Sequence, residues 1–328
     1  VTQGLPSSSL TLSIVYPTAS DDHLTLTASY ESKKYLSQLV FPSAVSVSAR
    51  TKVKTQNYEA CILALNETAA GAFSMTGSAT ASLNGCVTAS NSSDVNSISL
   101  GGSSSLVADC MVASGGISGI PRSTTLCGTN PTYQRKTDDP FAGMVQPAHV
   151  KSSCNNAGNF KPSNSYTLSP GCFKGSMSLK GTVTFSTGVY VLDGVNLNIN
   201  SNAVVNGTDV TFVLKNGSKL DFNGGATINL KAPEAGSTEP YPGMLFWGDG
   251  SGSVAHKISG DSSSGFQGSM YFPSDNVAFT GNSGMDVGCM RMAADTIQFL
   301  GNANLQSNCQ TELAGNAFQA AGAVVIVE

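Results

Sequence analysis

The sequence predicts a mainly β protein: a parallel, right-handed β-solenoid carrying a small N-terminal α+β module. The first observation behind this is a pattern, apolar–x–apolar–x–Gly–x–small–x–apolar, that starts at Phe73, Ile98, Met177, Leu197, Leu220, His256, Val277 and Ile297. Several starts are about 20 to 25 residues apart, the period of a repeat architecture. The second is the alternation of apolar and polar residues inside each copy, which marks a half-buried strand and not a helix. The third is composition. Charged residues are only 12% and Gly is 35 of 328, with abundant Ser, Thr and Asn, a profile that suits an extracytoplasmic all-β chain with many turns.

Residues 1–57 lie outside the repeat. Leu10 to Tyr16 alternates and stops at Pro17, and His23 to Tyr30 alternates again. Ser32 caps a short expected helix through Phe41, with Tyr35, Leu36, Leu39 and Val40 at helical spacing and Pro42 ending it. Ser43 to Thr55 returns to strand. Residues 58–328 are read as the solenoid, interrupted over 114–165 by a Pro-punctuated excursion that is either a binding loop or a covering of the rod's flank. Asn-Gly pairs at 84–85, 206–207, 216–217 and 223–224 are expected to supply positive φ at corners. Stacked at about 4.8 Å, eight turns make a rod of roughly 40 Å. Its ends need caps, for which the N-terminal module and the apolar Ala323–Val327 run are candidates.

Eight cysteines, Cys61, Cys86, Cys110, Cys127, Cys154, Cys172, Cys289 and Cys309, point to disulfides and an oxidising compartment. Connectivity is open, since eight cysteines allow about 105 pairings. Near-rung spacing favours 61–86, 110–127, 154–172 and 289–309, each closing a loop worth about 3 kcal/mol. No CxxC occurs, and His23, His149 and His256 are dispersed, which argues against a structural zinc site.

A net charge of −4 with 17 scattered Lys and Arg argues against nucleic-acid binding. No apolar run is long enough to span a membrane, and Val1 suggests a mature or trimmed chain. Glycoside hydrolysis needs paired carboxylates. The outward acids Asp193, Asp209, Asp221, Asp261, Asp275, Asp286 and Asp295 share no repeated offset, and Asp249 beside the single Trp247 reads as an Asp-Gly turn. No phosphate loop, nucleophile elbow or calcium repeat is present. The residues therefore predict no catalytic residue, no cofactor and no metal. The alternatives are a stand-alone adhesin or carbohydrate-binding module, which predicts a row of exposed aromatics for which only Tyr190, Trp247 and Tyr271 are candidates, or less favourably a polysaccharide lyase or hydrolase around Asp193, Asp221 or Asp249.

Several segments together resemble the extracytoplasmic part of TadG-like proteins of the Tad (tight adherence, Flp pilus) system. They are Tyr16-Pro-Thr-Ala-Ser20, Cys61-Ile-Leu-Ala-Leu-Asn66, Gly71 to Cys86 ending Leu83-Asn-Gly-Cys86, Asp139-Pro-Phe-Ala-Gly143, Gly188 to Asp193, Ala226 to Pro233 and Gly243-Met-Leu-Phe246. The resemblance implies a non-enzymatic pilus-assembly or adherence factor in the periplasm or at the cell surface. It also implies a membrane helix upstream of Val1, and partners among pilus subunits, other envelope proteins or a surface or glycan ligand.

Overall fold

The structure is a computed structural model that describes residues 10–15, 23–31, 46–119, 123–125, 127, 130–149, 151–159, 165–234, 236–261, 263–281, 284–287, 289–308 and 318–326. Contacts divide the chain into two units, Val1–Asn57 with Gly322–Glu328, and Tyr58–Ala321.

In the first unit Leu10–Val15 pairs antiparallel with His23–Glu31, which pairs antiparallel with the first part of Ser46–Ala64. The register aligns Leu12 with Ala28 and Ala28 with Ala49, so one face of this small sheet is largely apolar, Thr51 excepted, and the other carries mostly Thr, Ser, Arg and Lys. The helix expected over Ser32–Phe41 lies outside the described residues. Of the Ala323–Val327 run, Ala323–Ile326 falls on the strand Phe318–Ile326 and groups with this unit, and Val327 lies outside the described residues.

The second unit is a parallel β-solenoid of about nine turns. Each full turn has three faces. The openings of all eight pattern copies stand in one column: Met177, Leu197, Leu220, His256, Val277, Ile297, Phe73 and Ile98, each paired in register with the next. Every one of them is buried. A second inward column follows two residues on, with Leu179, Ile199, Phe222, Ile258, Phe279, Phe299, Met75 and Leu100. Burying each such side chain contributes about 1.5–3 kcal/mol, so the ladder adds substantially to the cohesion of the rod. We call this the ladder face.

Glycine turns the chain out of the ladder face. Gly77 and Gly102 have φ of 76° and 65°, and a Cβ on Gly102 would lie 2.6 Å from the Gly77 carbonyl oxygen. The stacked corners therefore need both the left-handed backbone and the missing side chain. Where Ser201 replaces Gly, the left-handed residue moves one place on, to Asn202. The Asn-Gly expectation holds in part. Gly85, Asn216 and Gly217 have positive φ, but Gly207 lies within the strand Val204–Gly207 and Gly224 is not left-handed, Gly225 taking that role.

The order of turns along the stack is not the order of the chain. From residue 155 the chain winds without a break in the stacking, through Gly171–Leu179, Gly188–Ile199, Val210–Lys215, Met244–Gly248 and Gly265–Thr280 to Met290–Leu300. That last strand pairs with residues 62–64 and with Phe73–Met75. The stack then continues through Val87–Ser90 to Met111–Ala113. The N-terminal turns are thus the far end of the rod, and the chain enters the stack at an interior rung, between Met290–Leu300 and Val87–Ser90. Residues 130–149 carry the chain back toward the other end.

Candidate functional site

The third kind of surface on the rod is set by strands that are apolar on both sides. Met244–Gly248 and Val87–Ser90 are buried throughout. Their inward column stacks Tyr190, Phe212 and Phe246 at 5.3 and 5.2 Å. Their outward column runs Cys172, Val191, Val213, Trp247, Tyr271, Ala293, Leu63, Ala89 and Val112. Such a column would be a long apolar stripe in water. Residues 130–149 lie over it as a strap, with the Phe141 ring tilted against Tyr271 at 4.9 Å.

The strap is tied rung by rung. The Gln134 amide donates to the Ala113 carbonyl at 2.9 Å. Asn91 and Thr137 exchange two hydrogen bonds of 2.8 and 2.7 Å. The Tyr271 hydroxyl donates to Asp139 at 2.7 Å, Gln146 donates to the Trp247 carbonyl at 3.2 Å, and Lys215 donates to the Pro147 carbonyl at 2.9 Å. From the Ala113 rung to the Asp193 rung is about 34 Å at the usual rung spacing, within the roughly 50 Å that an extended segment of this length spans. Residues 130–149 of the 114–165 excursion are therefore a return connection that covers the flank, whereas Ile117–Ser118, Ser123–Thr125 and Asn155–Asn156 pair into the stack.

At the end of the strap sits its densest polar cluster. Asp193, buried to 1% of its side chain, lies 2.5 Å from Nε2 of His149 through Oδ2. Its Oδ1 accepts from Lys151 at 2.8 Å and from Asn216 at 2.8 Å. Burial alone would raise the Asp193 pKa, but the donors His149, Lys151 and Asn216 outweigh it and hold the carboxyl at about 2. Gly194 follows in a left-handed conformation, and the Ser218 hydroxyl accepts from the Val195 amide at 2.8 Å. One His149 nitrogen and the sulfurs of Cys154 and Cys172 lie within 4.8 Å of one another. His149, Cys154 and Cys172 are dispersed in sequence, and it is the fold that brings them together.

Disulfides join Cys61 to Cys86, Cys110 to Cys127 and Cys154 to Cys172, with Cα separations of 5.6, 5.5 and 4.6 Å. The first links adjacent rungs. The second and third pin the chain on either side of the strap. Cys289 is also disulfide-bonded; the expected partner Cys309 lies outside the described residues. Disulfides of this kind form and persist in oxidising compartments. No helix among the described residues is long and apolar enough to cross a membrane.

The other sequence candidates are occupied by structural work. Asp249 accepts from the Asn216 amide and from the Ser251 amide and hydroxyl, the Asp turn that its Asp-Gly sequence implies. Asp261 accepts from Thr227, Ser263 and Ser264. Asp275 accepts from the Val254 amide, and Asp295 from Asn66. Asp209 is left-handed at a corner, and Asp221 is half-buried on the ladder face. Asp286 lies on Gly284–Val287. The aromatic row is corrected: Tyr190, Trp247 and Tyr271 are 0%, 2% and 7% exposed. The first points into the core and the other two lie under the strap, so none presents a ring to a ligand.

No family model, curated protein or solved structure matches this chain.

Proposed function

We propose that this chain is a non-enzymatic, extracytoplasmic component of bacterial Tad/Flp pilus biogenesis or adherence, acting through protein–protein or surface contacts. The observation that carries the non-catalytic part is the use made of the carboxylates. Asp193, Asp249, Asp261, Asp275 and Asp295 each accept hydrogen bonds from neighbouring rungs or turns. A hydrolase or lyase needs acids free to reach a substrate. The disulfides support an extracytoplasmic location, and the Tad assignment rests on the sequence resemblance. In this reading a helix upstream of Val1 tethers the rod, and its partners are pilus subunits or other envelope proteins.

The test is a deletion strain and its complemented control, with pili counted by electron microscopy and surface adherence scored in parallel. Loss of pili that returns on complementation is the expected result. Normal pili with reduced adherence would favour the adhesin reading instead. No change in either would overturn the proposal.

A further inference from the structure

We propose that Cys154 and Cys172, when reduced, become two ligands of a soft divalent-metal site, best suited to zinc and completed by His149. This inference is independent of the pilus reading. The two sulfurs and one imidazole nitrogen already lie within 4.8 Å of one another. Tetrahedral zinc, with Zn–S of about 2.3 Å and Zn–N of about 2.0–2.1 Å, sets ligand atoms roughly 3.5–3.8 Å apart. Opening the disulfide lets the sulfurs move apart by about 2 Å to reach that spacing.

The imidazole is prepared for the role. Nε2 of His149 lies 2.5 Å from Oδ2 of Asp193. In the proposed site the Asp193 carboxylate takes the Nε2 proton and the metal takes Nδ1, the carboxylate–histidine–metal arrangement. Asp193 is itself fixed by Lys151 and Asn216, each at 2.8 Å, so the ring is held by a rigid group. The charges also balance. A divalent ion with two thiolates and a neutral imidazole is neutral, and the Asp193 carboxylate is offset by the Lys151 ammonium, so no net charge is buried. His149 keeps 14% of its side chain exposed and Cys172 is half-buried, which gives an ion a way in and leaves a fourth position for water.

The chemistry closes with a dithiol reductant. The Cys154–Cys172 bond takes two electrons and two protons to give two thiols, while the reductant leaves as its own disulfide. Metal binding then releases the two thiol protons. The disulfide and the metal are alternative staples at the same end of the strap.

The test uses the purified full chain, reduced with a phosphine and titrated with Co²⁺ as a spectroscopic stand-in for zinc. The expected result is one equivalent bound per chain, with a thiolate-to-cobalt charge-transfer band and tetrahedral visible bands, displaced by Zn²⁺ and absent from the oxidised protein. The Cys154→Ser/Cys172→Ser variant should lose the bands, and Cys61→Ser/Cys86→Ser should keep them. Asp193→Asn should weaken binding about 10–100-fold, and His149→Ala at least as much. Bands that survive in Cys154→Ser/Cys172→Ser would overturn the proposal. So would a reduced wild-type chain that shows none, whether or not circular dichroism finds it folded.

Discussion

The backbone amide of Leu220 donates to Nδ1 of His256 at 3.1 Å, across neighbouring rungs of the ladder column. That acceptance puts the ring proton on Nε2, which donates to Oδ2 of Asp275 at 3.2 Å. His256 stands where every other pattern copy has an apolar residue, and the two hydrogen bonds explain how a polar ring occupies that place. Replacing it with Leu restores an apolar column but leaves the Leu220 amide and one Asp275 oxygen without these partners. Each costs about 1–3 kcal/mol when buried, so His256→Leu should lower stability by about 2–4 kcal/mol in urea denaturation. An unchanged midpoint would mean that the bridge contributes nothing.

The strap should depend on its disulfides. Cys110–Cys127 and Cys154–Cys172 close loops of 17 and 18 residues, each worth about 3 kcal/mol in the chain-entropy estimate. Paired Ser substitutions at either bridge should accelerate amide exchange over residues 130–149. Exchange on the ladder strands Met177, Leu197 and Leu220 should stay slow. Uniform loss of protection would show that the strap is not a separable element.

Asp193 gives a pH dependence of known sign. Its carboxyl is held at about 2, below its ordinary value of 3.8. A depressed carboxylate contributes stability above the unfolded pKa and loses it as pH falls through the folded one. The contribution is about 2 kcal/mol at neutral pH. Asp193→Asn should therefore be less stable than wild type at pH 7, and the gap should close between about pH 4 and pH 2. A gap that persists at pH 2 would assign the loss to packing instead of charge.

Two glycines at the same position of the pattern should behave differently. Gly102 is left-handed at 65° with a neighbouring carbonyl oxygen 2.6 Å from where a Cβ would lie, whereas nothing lies within 4 Å at Gly224. Gly102→Ala should cost more than about 2 kcal/mol from strain and clash together, and Gly224→Ala should change stability by less than about 0.5 kcal/mol. Thermal denaturation of the two variants decides it; equal shifts would remove the corner argument.

The ladder face was legible because its strands are wet on one side. Leu220 and Phe222 alternate with half-buried Lys219 and Asp221, and alternation is what a sequence shows most clearly. The strap-face strands are buried on both sides, so Met244-Leu-Phe-Trp247 shows no period at all. The pairing of Ile297 with Phe73 was also invisible, since nothing local in either segment names a partner so distant in the chain. Near-rung spacing suggested the three disulfides seen between described residues. The cluster around Asp193 could not be read, because His149 reaches it from a loop whose path depends on which strands it covers.

The interrupted order of the stack sets a timetable. A chain that emerges from its N-terminus, whether from a ribosome or through a translocation channel, presents residues 60–113 early. The strand that must lie against Ile62 and Phe73, Met290–Leu300, arrives only near the end of the chain. Until then the early turns have an open edge, the kind that recruits other chains, and contacts so far apart in sequence are slow to close. Assembly of this rod is completed only after nearly the whole polypeptide has been delivered. A chain cut short before residue 290 retains many of its rungs and still lacks the one that joins its two halves.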